Sequence, residues 1–178
     1  HHLLCMTAGK QTAIRGSKSD NWLKVFVNAK WIFEPGTSWR YVNDNYYIAS
    51  KMLCKVLGES ITEYLTPRLY EPLGIDIPFW EHSPDGVEAG GWGMVLKTED
   101  IAKLILCYQN KGKYNDVQVI PEWWTKEATS YISDNSVSEK ESDASAGYGC
   151  GFWRCGGMEN TYRCEGMFCQ YGISFEDY

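Results

Sequence analysis

Between Trp22 and Phe33, apolar residues recur at Trp22, Val25, Phe26, Ala29 and Phe33. That spacing places them on one stripe of an α-helix, and Pro35-Gly36 breaks the segment. A second stripe follows from Asn43 to Leu57, with Tyr47, Ile48, Met52, Leu53 and Val56 on one face and Gly58 as its C-terminal stop. Leu3 to Met6 reads as the end of a helix stopped by Ala8-Gly9, and Thr12 to Asp20 as a polar loop. Ser60-Ile61-Thr62-Glu63 has the form of a capping box, in which the Ser oxygen and the Glu carboxylate satisfy free N–H groups. The helix it opens runs through Tyr64, Leu65 and Leu69, with a bend near Pro67. Thr98-Glu99-Asp100 opens another, since carboxylates favour the positive end of a helix. Its buried stripe is Ile101, Leu104, Ile105 and Tyr108, and Gly112 closes it. Pro121 takes the first position of a last helix carrying Trp123, Trp124 and Ala128.

The pattern then changes. Ser133 to Ser145 is rich in Ser, Asp and Glu and reads as a solvated loop. Tyr148 to Arg154, and Tyr162 onward, read as strands around a Gly156-Gly157 turn. The expected class is α+β. A mainly helical subdomain covers 1–132, a polar loop 133–146, and the start of an antiparallel sheet 147–178. Asp76 to Gly93 is irregular, with Pro, Gly and Trp throughout.

Composition narrows the function. A chain of 178 residues, 44% hydrophobic and 22% charged, can bury a core. Eight Trp and 12 Tyr supply rings that fill cores and also line clefts for organic ligands. A net charge of -6 weighs against nucleic acid and against a basic membrane-surface patch. No apolar run approaches the roughly 20 residues of a membrane span. His1-His2-Leu3-Leu4 reads as the interior of a longer protein, so the lack of a leader is uninformative about export. The seven cysteines include no Cys-x-x-Cys pair, which removes zinc-ribbon and thioredoxin-type readings. Cys150-x4-Cys155 and Cys164-x4-Cys169 read as small apolar residues on strands, so no metal and no cofactor is expected. An odd count favours a reducing environment over a disulfide scaffold.

One short run carries chemistry. After Pro35-Gly36, an extended piece delivers Tyr41-Val42-Asn43 to the start of the second helix. Extended backbone alternates faces, so Tyr41 and Asn43 point the same way. A phenol and a carboxamide facing one cleft suit proton transfer and substrate orientation. The alternative is a core Tyr41 with a satisfied hydroxyl and an Asn43 that only caps the helix. Trp92, beside Gly90-Gly91, is either a cleft wall or core. His82 reads as a solvated loop residue, and adjacent Ser83 makes no triad with it. His2 reads as a packing or capping residue.

Several segments in order resemble the serine β-lactamase and penicillin-binding-protein-like hydrolases, nearest the class C β-lactamase and esterase-like branch. They are His2-Leu3-Leu4-Cys5-Met6-Thr7-Ala8-Gly9, Pro35-Gly36-Thr37 through Tyr41-Val42-Asn43, and Leu69-Tyr70-Glu71-Pro72-Leu73-Gly74-Ile75. Gly90-Gly91-Trp92-Gly93-Met94 through Thr98-Glu99-Asp100-Ile101-Ala102-Lys103 completes the set. The resemblance implies an acyl-enzyme formed on the Ser of a Ser-x-x-Lys motif, a Tyr-x-Asn pair and a Lys/His-x-Gly strand motif. It makes Tyr41 a proton shuttle and Asn43 a substrate ligand, with Glu165 and Gly166 on the substrate side, where Trp92 joins them if it is a cleft wall. A serine hydroxyl needs such a neighbouring base to attack at neutral pH, and a nearby ammonium would lower the phenol's pKa.

Two departures stand out. No Ser in the chain has a Lys three residues on, and Thr7-Ala8-Gly9-Lys10 has the spacing without the residue. Glu165-Gly166-Met167 holds the third-motif position with no Lys or His, although Gln170 is near. The chain therefore reads as a fragment of a hydrolase acting on a β-lactam, a D-amino-acid peptide or a small ester, and as inactive alone. The rival readings are a non-catalytic ligand-binding member of the same fold and a purely structural helical domain. The expected partner is a small-molecule or peptide substrate, with self-association through exposed sheet edges. The resemblance implies an extracytoplasmic or membrane-associated site, whereas the cysteine count points to a reducing one.

Overall fold

The computed structural model describes residues 1–137 and 143–175. Part of the polar loop, at 138–142, and the last three positions of the expected sheet region lie outside the described residues. The fold is α+β, in two compact units that interleave along the chain: 1–70 with 76–96, and 71–75 with 97–178.

In the first unit, α1 covers Trp22–Asn28. Asn21 caps it by accepting from Lys24 N at 2.8 Å, and it stops at Ala29, well short of Phe33. Beyond it Trp31 bridges to Lys10, so extended pairing replaces the predicted last turn. The first six residues form turns and not a helix end, because Met6 takes a left-handed φ of 60°. The next helix, α2, covers Asp44–Leu57 and ends at Gly58, which adopts the left-handed C-cap conformation. Its inner face is Asp44, Asn45, Tyr47, Ile48 and Ser50. Met52, Leu53 and Val56 are exposed, so the buried stripe ends earlier than the apolar pattern. The core of this unit gathers Ile14, Phe26, Tyr47 and Ile48, with Leu3, Trp22, Val25, Val87 and Trp92 packed against it.

A third helix, α3, spans Ile61–Leu65, and its capping box forms as expected: Glu63 N donates to Ser60 Oγ at 3.1 Å, and Ser60 N donates to Glu63 Oε2 at 2.9 Å. Thr66–Tyr70 then widens into a π-helical turn. Pro67 has no N–H to continue the α ladder, which accounts for the bend expected there. Asp76 to Gly93, irregular by sequence, begins a two-stranded ribbon in which β1, Phe79–Trp80, pairs antiparallel with β2, Met94–Val95.

The second unit starts with the single turn α4, Glu71–Leu73, and the amphipathic α5, Thr98–Gln109. Lys103 Nζ donates to the Gly74 carbonyl at 2.6 Å and joins the two. An unforeseen hairpin follows, β3 at Lys113–Tyr114 and β4 at Val117–Gln118. Its two turn residues, Asn115 and Asp116, both take positive φ, as a tight type I′ connection requires. After α6, Glu122–Thr129, the strands β5 (Trp153–Arg154), β6 (Tyr162–Glu165) and β7 (Tyr171–Ser174) form an antiparallel sheet in that order. Gly172 of β7 packs directly on Ile101 and Ile105 of α5.

Candidate active site

The Tyr41-Val42-Asn43 segment is fixed by its neighbours. Trp39 and Val42 are buried anchors, while Tyr41 and Asn43 are half-buried. Val42 is the inward-facing residue between them. The turn before them follows from Gly36 at φ 86°, where a Cβ would meet the His2 ring at 2.9 Å. Gly36 N donates to the Thr7 carbonyl at 2.9 Å, and His2 Nδ1 lies 2.9 Å from Thr7 Oγ1. His2 is thus a packing residue of this turn.

Asn43 occupies the N-cap position of α2 in helical φ/ψ and makes no side-chain capping bond. It therefore stands where the capping alternative put it, but its carboxamide makes no bond to the first turn. Asp44 is fully buried, and its Oδ2 accepts from Ala13 N at 2.7 Å and Ile14 N at 2.9 Å. These bonds anchor the first turn of α2. Tyr46 OH donates to the Leu4 carbonyl at 3.3 Å.

From the far side, Gly90 and Gly91 close on this turn. A Cβ on Gly91 would stand 2.6 Å from the Asn43 carbonyl oxygen, and one on Gly90 2.4 Å from that of Tyr46. Only glycine permits this approach, which gives the Gly-Gly pair a packing role at the site. Trp92 follows directly. Its ring lies 5.4 Å from that of Trp22, which in turn meets Tyr47 edge-on at 5.3 Å. Trp92 is half-buried against the core, and its indole N–H donates to Glu81 Oε1 at 3.0 Å.

The loop before Gly90 is also tied to α2. Asp85 pairs with Lys51 and accepts from Ser83 Oγ at 2.6 Å. The Lys51 ammonium, then the Ser83 hydroxyl, hold the Asp85 carboxyl below its ordinary value, and Asp85 in turn raises Lys51. Tyr47 OH reaches Asp85 Oδ1 at 3.5 Å; burial foremost pushes this phenol up, which keeps it protonated. Ser83 is buried and engaged with Asp85, while His82 is exposed and pairs through its backbone with Glu88. Neither forms part of a triad. Sequence reading missed this Ser83–Asp85–Lys51 cluster, whose one signal was the Pro84-Asp85-Gly86 turn.

Glu165 and Gly166 belong to the second unit, at the end of β6. Arg163 Nε donates to Glu165 Oε2 at 3.0 Å, and the same guanidinium engages Asp143 and, at 3.2 Å, Cys155 Sγ. Gly166 N donates to the Gln170 carbonyl at 2.9 Å, closing the β6–β7 hairpin. A Cβ on Gly166 would stand 2.5 Å from Gln170 Oε1. None of the seven cysteines is in a disulfide.

The Beta-lactamase family model matches residues 1–177. The chain belongs to the Beta-lactamase family. Solved structures with the same fold include a protein of Bacillus anthracis assigned as a 6-aminohexanoate-dimer hydrolase (TM-score 0.82, 15% identity), of which this chain covers 52% with 98% of its own length. A penicillin-binding protein from Bacillus halodurans aligns at TM-score 0.70 and 18% identity, over 98% of this chain and 63% of that one. The D-amino acid amidase of Ochrobactrum anthropi SV3, in complex with D-phenylalanine, aligns at 0.62 and 15%, over 85% and 53%. At these identities the likeness is one of fold. No curated protein matches the chain. The chain thus spans about half to three fifths of the length of these Beta-lactamase-fold relatives.

Proposed function

We propose that this chain is the Tyr-x-Asn-bearing part of a serine hydrolase that cleaves an amide or ester through an acyl-enzyme. The observation that carries the reading is that Tyr41 and Asn43 stay half-buried on either side of a buried Val42, with no capping bond from the Asn43 side chain. In that arrangement Tyr41 exchanges the proton of the attacking hydroxyl and the leaving group. Asn43 donates to and accepts from the substrate amide. The nucleophile comes from a Ser-x-x-Lys motif outside these 178 residues, and the chain alone forms no acyl adduct.

Amino-acid amides are the favoured substrate class, because one relative is a D-amino acid amidase, also captured with L-phenylalanine amide. D-Phenylalanine amide is therefore the natural probe. The test treats the full-length protein with fluorescent penicillin and with a fluorophosphonate. A covalent adduct with either, formed far more slowly by Tyr41→Phe, is expected; no adduct with either sinks the hydrolase reading. A second reading, a ligand-binding protein that keeps the cleft without the chemistry, is favoured by Glu165-Gly166 standing where the resemblance leads one to expect Lys or His. It predicts reversible binding of the amide probe and no adduct.

A further inference from the structure

Six non-glycine residues among those described adopt positive φ. Lys111, Asn115, Asp116, Asn160 and Cys169 do so on the surface, whereas Met6 does so at φ 60° with no exposed area. A buried left-handed methionine persists only where its surroundings over-determine it.

What this conformation achieves is visible in its bonds. The Met6 carbonyl accepts from Arg40 N at 3.0 Å. The Met6 thioether accepts from Val42 N at 3.3 Å and from Asn45 Nδ2 at 3.5 Å. Arg40 and Val42 flank Tyr41, and Asn43 lies between Val42 and Asn45, two positions before the latter. Each site residue is therefore held between two points fixed to the same side chain or its own carbonyl. Leucine would fill a similar volume, yet it offers no acceptor. The Val42 N–H and the Asn45 amide would then lose a buried partner.

We propose that Met6 is a positioning residue for the Tyr41–Asn43 pair, acting through its sulfur and its left-handed backbone. This rests on the reading of Tyr41 and Asn43 as the substrate-facing pair, and the test separates the two claims. The first arm needs no ligand. In the isotope-labelled chain, Met6→Leu should move the NMR signals of the Val42 amide, the Asn43 side-chain amide and the Tyr41 ring. The Trp123 indole should stay in place, and Met52→Leu, at an exposed position of α2, should move none of these signals. Unmoved Val42 and Asn43 signals overturn the proposal. If Met6→Leu does not fold, selenomethionine-labelled wild-type chain answers instead: a selenium–proton coupling at the Val42 amide supports the bond, and its absence overturns it.

The second arm measures D-phenylalanine amide binding. Met6→Leu should weaken it on the order of tenfold, the size of effect that losing one hydrogen bond to the ligand produces. The double variant with Asn43→Ala should bind no more weakly than Asn43→Ala alone, since both remove the same contact. Losses that multiply overturn the proposal. A wild-type chain that ignores the probe counts against the functional reading only, and the NMR arm still decides the role of Met6.

Discussion

Gly91 lies so close beneath Asn43 that a single added methyl would come within 2.6 Å of the Asn43 carbonyl oxygen. The contact locks the Gly90-Gly91-Trp92 segment onto the first turn of α2, which carries the candidate carboxamide. Gly91→Ala should therefore displace Asn43 and cost about 1–3 kcal/mol, the usual range for overpacking. Gly156→Ala is the matched control, because its new Cβ would approach nothing nearer than 3.3 Å. Thermal unfolding of the two variants checks this: equal midpoints would show that the Gly91 contact is soft.

Tyr41 is half-buried and sits on a segment anchored by other residues. Tyr41→Phe removes the hydroxyl and keeps the ring. In the full-length protein it should slow adduct formation by about 10²–10⁴, the typical contribution of a positioned proton-transfer group. An unchanged rate of labelling would remove Tyr41 from the chemistry.

Some of this was legible in the chain and some was not, for physical reasons. The end of α2 could be read because Gly58 is local information, a residue suited to the left-handed cap it adopts. The capping box at Ser60 is equally local. The exposure of Met52, Leu53 and Val56 was not readable, since a stripe states which residues are apolar and not how far the covering structure extends. Met6 lay in plain view within a matched segment, but its bonds span more than 30 positions to Val42 and Asn45. The burial of Val42 between two half-buried neighbours is local in the same way as the Ser60 capping box.

Glu88 illustrates the same limit and yields a prediction. It is fully buried, and its Oε1 accepts from Thr62 N at 2.9 Å, at the start of α3. Burial pushes its pKa up, but the backbone amides around Thr62 outweigh this and leave it below the ordinary value. Glu88 is thus a buried carboxylate serving a helix N-terminus from 26 residues away. Glu88→Gln should lose about 1–3 kcal/mol, because an amide replaces a charged acceptor at a dry site. Chemical denaturation measures it, and a loss under about 0.5 kcal/mol would mean that the charge is immaterial.

The Asp85–Lys51 pair should leave a pH signature. The carboxyl is depressed in the fold, so its contribution is complete above the ordinary carboxylate value of about 4 and is lost as pH falls through the lower folded value. The Lys51 ammonium is raised, so its contribution is complete below about 10.4 and is lost only as pH rises beyond that. Both side chains are partly exposed, at 29% and 48%, which keeps the effect below about 1 kcal/mol. The difference in thermal midpoint between wild type and Asp85→Asn should be constant near neutrality and shrink towards zero below pH 4. Curves that stay parallel into acid would mean that the pair does not pin the loop.

The sheet of the second unit bears on association. Along β7, Gly172 and Ser174 are buried while Tyr171 and Ile173 are exposed, and Phe175 continues the exposed row. Among the described residues β7 pairs only with β6, so one of its backbone edges has no strand beside it. An open edge next to an apolar row is a template for pairing with another strand. We expect the chain to self-associate at high concentration through β7, with a scattering mass above that of one chain. Ile173→Lys places a charge on this row and should return the species to one chain with the helical signal intact. A wild-type chain that stays monomeric at the highest attainable concentration would show that this edge is already protected.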